Sequence, residues 1–225
     1  MDHLTDFSPP VLSKQEASER TAQFHELYYY ARLWETTRWL GVPTYKCPLD
    51  MWVYQEILSE TRPEVVVECG TAFGGSALFM ATVMDQIGVG QVVTVDITAQ
   101  PNLPRHPRIE YLSGSTADAR TLDQVRSRIR PGARTMVILD SLHTRDHVLA
   151  ELELFWPLVT PGCYLVVEDT NINGHPVQTD FEPDRGPGAY EAVEIFLRQD
   201  RPFERDPSRE RLLLTFNPGG YLRRV

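Results

Sequence analysis

Residues 16 to 40 run EASERTAQFHELYYYARLWETTRWL without a proline or glycine, and Phe24, Leu27, Tyr28, Ala31, Leu33, Trp34 and Leu40 recur at roughly helical spacing. This predicts one helix with a heavy aromatic load, ended by Gly41-Val42-Pro43. A second helix is predicted over 49–60, stopped by Arg62-Pro63. The grammar then changes. Val65-Val66-Val67 is a short apolar run of β-branched residues leading to Gly70, as in a parallel strand buried on both faces. A glycine-bearing turn and an apolar helix over 76–86 follow, then a strand over 91–95 and an irregular proline-rich stretch to Pro107. Further along, strands are predicted over 109–112, 135–139 and 163–167, with helices over 121–129, 144–155 and 188–199 between and after them. Two last runs, 211–216 and 221–224, flank Asn217-Pro218-Gly219-Gly220 and predict a β-hairpin.

Alternating strands and helices predict an α/β fold, a mostly parallel sheet covered on both faces and finished by the C-terminal antiparallel hairpin. A length of 225 residues, 42% hydrophobic and 24% charged, suits one globular domain, and no repeat or linker divides it. Residues 1–45 are read as an N-terminal helical segment and 46–225 as the domain proper. The net charge of −9 repels a phosphate backbone, so no nucleic-acid partner is expected. Residues 1–10 carry acids and prolines where a secretion leader would be basic then apolar, and no run is long enough to span a bilayer, so a cytoplasmic protein without membrane contact is expected. Cys47, Cys69 and Cys163 have no paired spacing and read as reduced bystanders.

The candidate chemistry lies at predicted strand ends, where open α/β sheets bind ligands. Glu68-Cys69-Gly70-Thr71-Ala72-Phe73-Gly74-Gly75-Ser76 joins the first core strand to its helix. A dinucleotide loop would want G-x-G-x-x-G, and the Glu68 carboxylate would repel a pyrophosphate. It suits a ligand carrying an ammonium or hydroxyls, with Gly70, Thr71, Gly74 and Ser76 close around it. Asp96, ending the next strand, can accept both ribose hydroxyls of a nucleoside, and Ser115 in Gly114-Ser115-Thr116 can meet its base. Turn chemistry and helix capping would also account for such residues.

Asp140, which borders the same crevice, and the pair Glu168-Asp169 end two further strands, so three carboxylates converge at one edge with no Lys or Arg adjacent in sequence. A hard divalent cation such as magnesium would neutralise them. His143, just past Asp140, could accept a proton from an activated hydroxyl. His147 could share a helix face with His143, while His3, His25, His106 and His175 show no ligand spacing.

The parallel sheet with its antiparallel finish resembles the Rossmann-like fold of class I methyltransferases, and Glu68-x-Gly70-x-x-x-Gly74-Gly75 resembles their first S-adenosylmethionine motif. With Asp140, His143 and Glu168-Asp169 included, the chain is similar from about residue 43 to 225 to the cephalosporin hydroxylase family and the related metal-dependent O-methyltransferases of macrolide sugars. The resemblance implies S-adenosylmethionine and Mg2+ as cofactors, Asp140, Glu168 and Asp169 as metal ligands, and His143 as the catalytic base. It implies methylation of a hydroxyl on a small acceptor of secondary metabolism, as in antibiotic biosynthesis: a sugar, or a vicinal diol of catechol type. No facial triad of the iron hydroxylases is present.

Two rival functions stand beside this one. A nicotinamide oxidoreductase could use the same sheet, against Glu68 and the incomplete glycine motif, and a non-catalytic methyltransferase-fold subunit could bind a partner enzyme. The loop over 171–187 aligns with nothing. Aromatic residues spread around the N-terminal helix need a second apolar contact, so a homo-oligomer is expected in which this segment meets a neighbouring subunit and roofs the active site.

Overall fold

The computed structural model describes residues 12–98, 100–177 and 187–225. The start read against a leader, His3, and positions 178–186 of the uninterpreted loop lie outside the described residues.

Ser13 opens the first helix, α1 (Lys14–Tyr30), with a capping box: its hydroxyl accepts the Glu16 N–H, and the Glu16 carboxylate accepts the Ser13 N–H. The helix expected over 16–40 stops ten residues early, at Tyr30. Arg32 takes a left-handed φ of 53°, and the Thr36 and Thr37 hydroxyls donate back to the carbonyls of Leu33 and Trp34 at 2.7 Å each, competing with the helical ladder. A single 3-10 turn (Leu33–Thr36) leads into a small hairpin of β1 (Arg38–Trp39) and β2 (Val42–Pro43). Its two turn residues, Leu40 and Gly41, both have positive φ (48° and 86°), as the twist of paired strands requires. Helix α2 (Pro48–Thr61) starts on a proline at its first turn and ends at Arg62 in the left-handed region.

The sheet follows in the expected order: β3 (Val65–Cys69), α3 (Gly75–Ile87), β4 (Gln91–Asp96), β5 (Ile109–Ser113), α4 (Ala119–Arg126), β6 (Thr135–Leu139), α5 (Arg145–Phe155), β7 (Tyr164–Val167), α6 (Ala189–Leu197), β8 (Phe203–Arg205) and β9 (Tyr221–Arg224). Its spatial order is β5-β4-β3-β6-β7-β9-β8. β3 to β7 pair in parallel, and β9 is antiparallel to both its neighbours, β7 and β8. The antiparallel finish is therefore present, with one correction. The partner of β9 is β8, not residues 211–216, which form no strand. Their backbone and side chains have other partners: the Phe216 N–H and the Thr215 hydroxyl donate to Asp50 of α2, the Phe216 carbonyl accepts the Asn171 N–H, and Leu213 takes φ 72°.

Two apolar layers clasp the sheet. Val65, Val67 and Cys69 of β3 face α4, α5 and α6, while Val66 faces α2 and α3 with Met136 and Ile138 of β6. By the same alternation Glu68 points under α3. Cys47, Cys69 and Cys163 are buried and unpaired. Among the described residues no helix is long and apolar enough to cross a membrane.

Candidate active site

The carboxyl ends of β3, β6 and β7 stay in register up to their last residues: the Asp140 N–H donates to Cys69 O at 2.8 Å and the Glu168 N–H to Leu139 O at 2.9 Å. Gly70 leaves no space above this ladder. Its φ is +101°, and a Cβ there would stand 1.9 Å from the Asp140 carbonyl oxygen, so only glycine lets the β3 loop cross beside Asp140.

Asp140, His143 and Asp169 present one ligand atom each within 4.8 Å of one another. His143 Nε2 lies 3.2 Å from Asp169 Oδ2. Glu168 takes a different direction from the one expected of a metal ligand. It points toward α2, where its carboxylate accepts the Tyr54 hydroxyl and the Lys46 ammonium, the latter at 2.6 Å. Lys46 also reaches Asp140 Oδ2 at 2.5 Å. The acids thus do have a basic neighbour, 94 residues from Asp140 along the chain. Burial opposes the Lys46 charge, but Asp140 and Glu168 outweigh it and hold the ammonium above its ordinary range. Burial moves Asp140, Glu168 and Asp169 upward from the usual carboxylate range. Three carboxylates face one ammonium, so the cluster keeps acceptor oxygens for a further cation.

Beside this cluster lies a cavity of about 390 Å³ lined by Gly70, Ala72, Val95, Asp96, Ile97, Ser115, Thr116, Asp140, Ser141, Leu142 and His147. Gly70, Asp96, Ser115 and Asp140 reach it as expected from sequence. Asp96 also fastens the glycine loop, accepting the N–H groups of Thr71, Ala72 and Thr98 at 2.9, 3.0 and 2.9 Å. Glu68, Thr71, Gly74 and Ser76 are not in the lining. The period-2 alternation of β3 is the reason for Glu68: it is fully buried, accepts the Ser76 hydroxyl at 2.5 Å, and is pushed up to about 7 by burial. Glu68 and Ser76 brace the start of α3 from beneath, and the Thr71 hydroxyl bonds Thr94 at 2.7 Å. Neither Glu68 nor Ser76 touches the cavity.

Ser141, Leu142 and His147 also line the cavity, and no motif in the sequence marks them as cofactor contacts. His147 Nε2 lies 3.0 Å from the Ser141 hydroxyl, which donates to the buried Glu151 at 2.6 Å. The i, i+4 spacing of His147 and Glu151 on α5 was the available signal.

Helix α1 closes the other side. Its buried His25 accepts the Asn171 side-chain N–H at 2.9 Å and stacks on the Phe216 ring, centroids 5.5 Å apart. Burial lowers this imidazole to about 4, so it stays neutral. Burial first, then the Asp169 charge, raise the Tyr29 phenol, which places α1 within electrostatic reach of the cluster. Phe216 also meets Tyr29 edge-on at 5.5 Å, and its N–H goes to Asp50. Asp50 further accepts the Thr215 and Tyr221 hydroxyls, and Asn217 joins Tyr221 to Tyr54. Tyr45 and Phe73, half-exposed and 5.0 Å apart, form an aromatic edge between Lys46 and the glycine loop.

Residues 31–225 match a family model described as rhamnosyl O-methyltransferase/CmcI. The chain is 41% identical over 209 residues to a curated rhamnosyl O-methyltransferase of Mycobacterium tuberculosis, covering 89% of this chain and 83% of that protein. It is 43% identical over 208 residues to the one of Mycobacterium leprae, covering 89% and 88%. Two structures of CmcI share the fold: one without ligand (TM-score 0.63, 22% identity) and one with magnesium and S-adenosylmethionine (0.60, 20%), each covering 85% of this chain and 77% of that one.

Proposed function

The chain belongs to the rhamnosyl O-methyltransferase/CmcI family and is an O-methyltransferase, and from this we propose that it uses S-adenosylmethionine and a divalent cation, magnesium, to methylate a hydroxyl of a small hydroxylated acceptor. The observation that carries the reading is the convergence of three carboxylates, Asp140, Glu168 and Asp169, on one ammonium, immediately beside a cavity lined by Gly70 and Asp96.

The residues fit both groups. A cation is already accommodated there in the form of the Lys46 ammonium, which shows that the oxygens of Asp140 and Glu168 converge. Asp140, Asp169 and Glu168 would hold the metal through hard oxygen donors. The cavity offers a carboxylate to ribose hydroxyls at Asp96, a small polar group at Ser115, and apolar walls at Ile97 and Leu142 for a base. When bound, S-adenosylmethionine supplies the methyl group and the cation supplies a Lewis acid that makes a hydroxyl more acidic.

The chain's own residues do the rest. His143 takes the acceptor's proton, and Asp169, 3.2 Å from its Nε2, orients the ring and steadies the imidazolium that forms. Gly70 lets the β3 loop pack directly against the Asp140 backbone, which keeps the cavity and Asp140 side by side. Tyr29 and the neutral His25–Asn171 pair shield the cluster from solvent on the α1 side. The mycobacterial relatives are named for a rhamnosyl acceptor, and a deoxyhexose hydroxyl is the acceptor we assign. The Tyr45–Phe73 edge suits the apolar face of such a ring. The segment 1–45 is assigned to roofing this site and to contact between subunits.

The test is incubation with methyl-labelled S-adenosylmethionine, magnesium, and a panel of rhamnosides, other glycosides and vicinal diols, with and without chelator. Transfer to a sugar hydroxyl that stops on chelation is expected. Full transfer in excess chelator would remove the metal from the reading, and transfer to aromatic diols alone would remove the sugar.

A further inference from the structure

The chemistry above leaves Lys46 without a part, although it is one of the chain's two lysines and its side chain is only 6% exposed. Its backbone is pinned. Tyr45 before it holds φ 52°, its own N–H donates to the Thr37 hydroxyl at 3.3 Å, and α2 begins two residues later. Its side chain has an exit: with Trp39, Met51, Trp52 and Phe79, Lys46 lines a groove of about 760 Å³ along α2 and α3.

We propose that Lys46 is a positioning residue that takes the place of the divalent cation in the metal-free protein, bridging Asp140 and Glu168, and that it swings into the α2–α3 groove when the metal claims those oxygens. This rests on the cation reading given above. Without Lys46, three carboxylates would meet at neighbouring strand ends with no fixed counter-charge, and the metal-free site would push itself apart. With it, Asp140 and Glu168 are held together by ion pairs of 2.5 and 2.6 Å, so the oxygens are gathered before any metal arrives. An ammonium and a divalent cation on the same oxygens repel, so one must leave. A lysine can leave, because its ammonium is a point charge on a flexible stem. An arginine, whose planar fork grips carboxylates bidentately, would not give way so easily.

The consequence for the metal set is specific. Asp140 and Asp169 converge, with the base His143 beside them, while Lys46 is in place, and Glu168 becomes available only when Lys46 departs. Metal affinity is then a competition between the cation and an internal lysine.

The wild-type protein tests this directly, because the exposed Lys14 serves as the internal reference for Lys46. Amine acylation read by peptide mass spectrometry should modify Lys46 slowly without metal, and about tenfold or more faster, relative to Lys14, in saturating Mg2+, as an ion-paired buried amine becomes a solvated one. In calorimetry with Mn2+ alone, Lys46→Met should bind about tenfold or more tighter than wild type as the like-charge competitor is lost, and Lys46→Arg should bind more weakly. Unchanged acylation of Lys46 in saturating metal overturns the proposal, even if neither variant folds. Equal or weaker Mn2+ binding by a folded Lys46→Met does so as well. A wild-type protein that binds no Mn2+ overturns the cation reading itself, which separates that failure from a metal site in which Lys46 stays put.

Discussion

Asp50→Asn isolates a buried acid whose proton the folded chain holds more tightly than the unfolded one. Asp50 is 1% exposed, accepts the Thr215 hydroxyl at 2.5 Å, the Phe216 N–H at 2.8 Å and the Tyr221 hydroxyl at 2.8 Å, and burial pushes it from 3.8 up to about 7. An acid whose folded value lies above its unfolded value binds its proton more tightly when folded. Stability is therefore fullest below the unfolded value and is lost as the pH rises through the folded one. At 1.36 kcal/mol per pH unit the full effect between pH 4 and 7 is roughly 4 kcal/mol, of which about 2 kcal/mol falls between pH 5.5 and 8. Asparagine removes the titration and keeps the geometry. Its oxygen can accept the Phe216 N–H, and its amide can donate to the two hydroxyls, which rotate to accept. Urea unfolding followed by tryptophan fluorescence should then show Asp50→Asn gaining about 2 kcal/mol on wild type between pH 5.5 and 8, or about 1 M in midpoint. Taking the difference between the two proteins cancels the titrations of Glu68 and His25. Asp50→Ala should be destabilised by about 3–5 kcal/mol, because the Phe216 N–H has no other partner to turn to. Parallel stability curves for wild type and Asp50→Asn would show that Asp50 is ionised in the fold and refute the argument.

Three further outcomes are expected. His143→Ala should lower kcat by about 10²–10⁴-fold while calorimetric metal and cofactor affinities hold; lost metal affinity would make the ring a ligand instead of a base. Asp96→Ala frees two backbone N–H groups of the glycine loop and that of Thr98 and should weaken S-adenosylhomocysteine binding by about 1.5–3 kcal/mol, roughly ten- to a hundredfold; unchanged calorimetry would remove Asp96 from the cofactor site. Phe24, Leu27, Tyr30 and Leu33 leave an exposed apolar stripe on and after α1, so Leu27→Glu with Leu33→Glu should lower the mass seen in light scattering at unchanged Tm; an unchanged mass would end the subunit-contact assignment.

Where neighbouring residues carried the information, the sequence was readable. The β-branched runs of β3, β4, β6 and β7 announced buried parallel strands, and the acids at their ends fell on one edge because parallel strands end together. The direction of Glu68 was also available: it shares its parity with Val66, which faces the α2 and α3 layer. The end of α1 was harder to see, since it depends on Arg32 turning left-handed and on two threonines bonding backwards, with no glycine or proline to mark it. The apolar run 212–214 looked like a strand because nothing nearby shows that Asp50, far back in the chain, takes the N–H of Phe216. Lys46 lay beyond any local pattern, its partners being supplied by the closing of the sheet.

Phe216 gathers three distant parts of the chain: its ring holds His25 and Tyr29 of α1, its N–H goes to Asp50 of α2, and its carbonyl takes the Asn171 N–H after β7. In the order of synthesis, every residue that lines the cavity, from Gly70 to His147, precedes Phe216. The ties among α1, α2 and the loop after β7 come last, because they run through Phe216. A product shortened by a premature stop just ahead of Phe216 would thus retain the residues that line the cavity while lacking the keystone that joins these three segments.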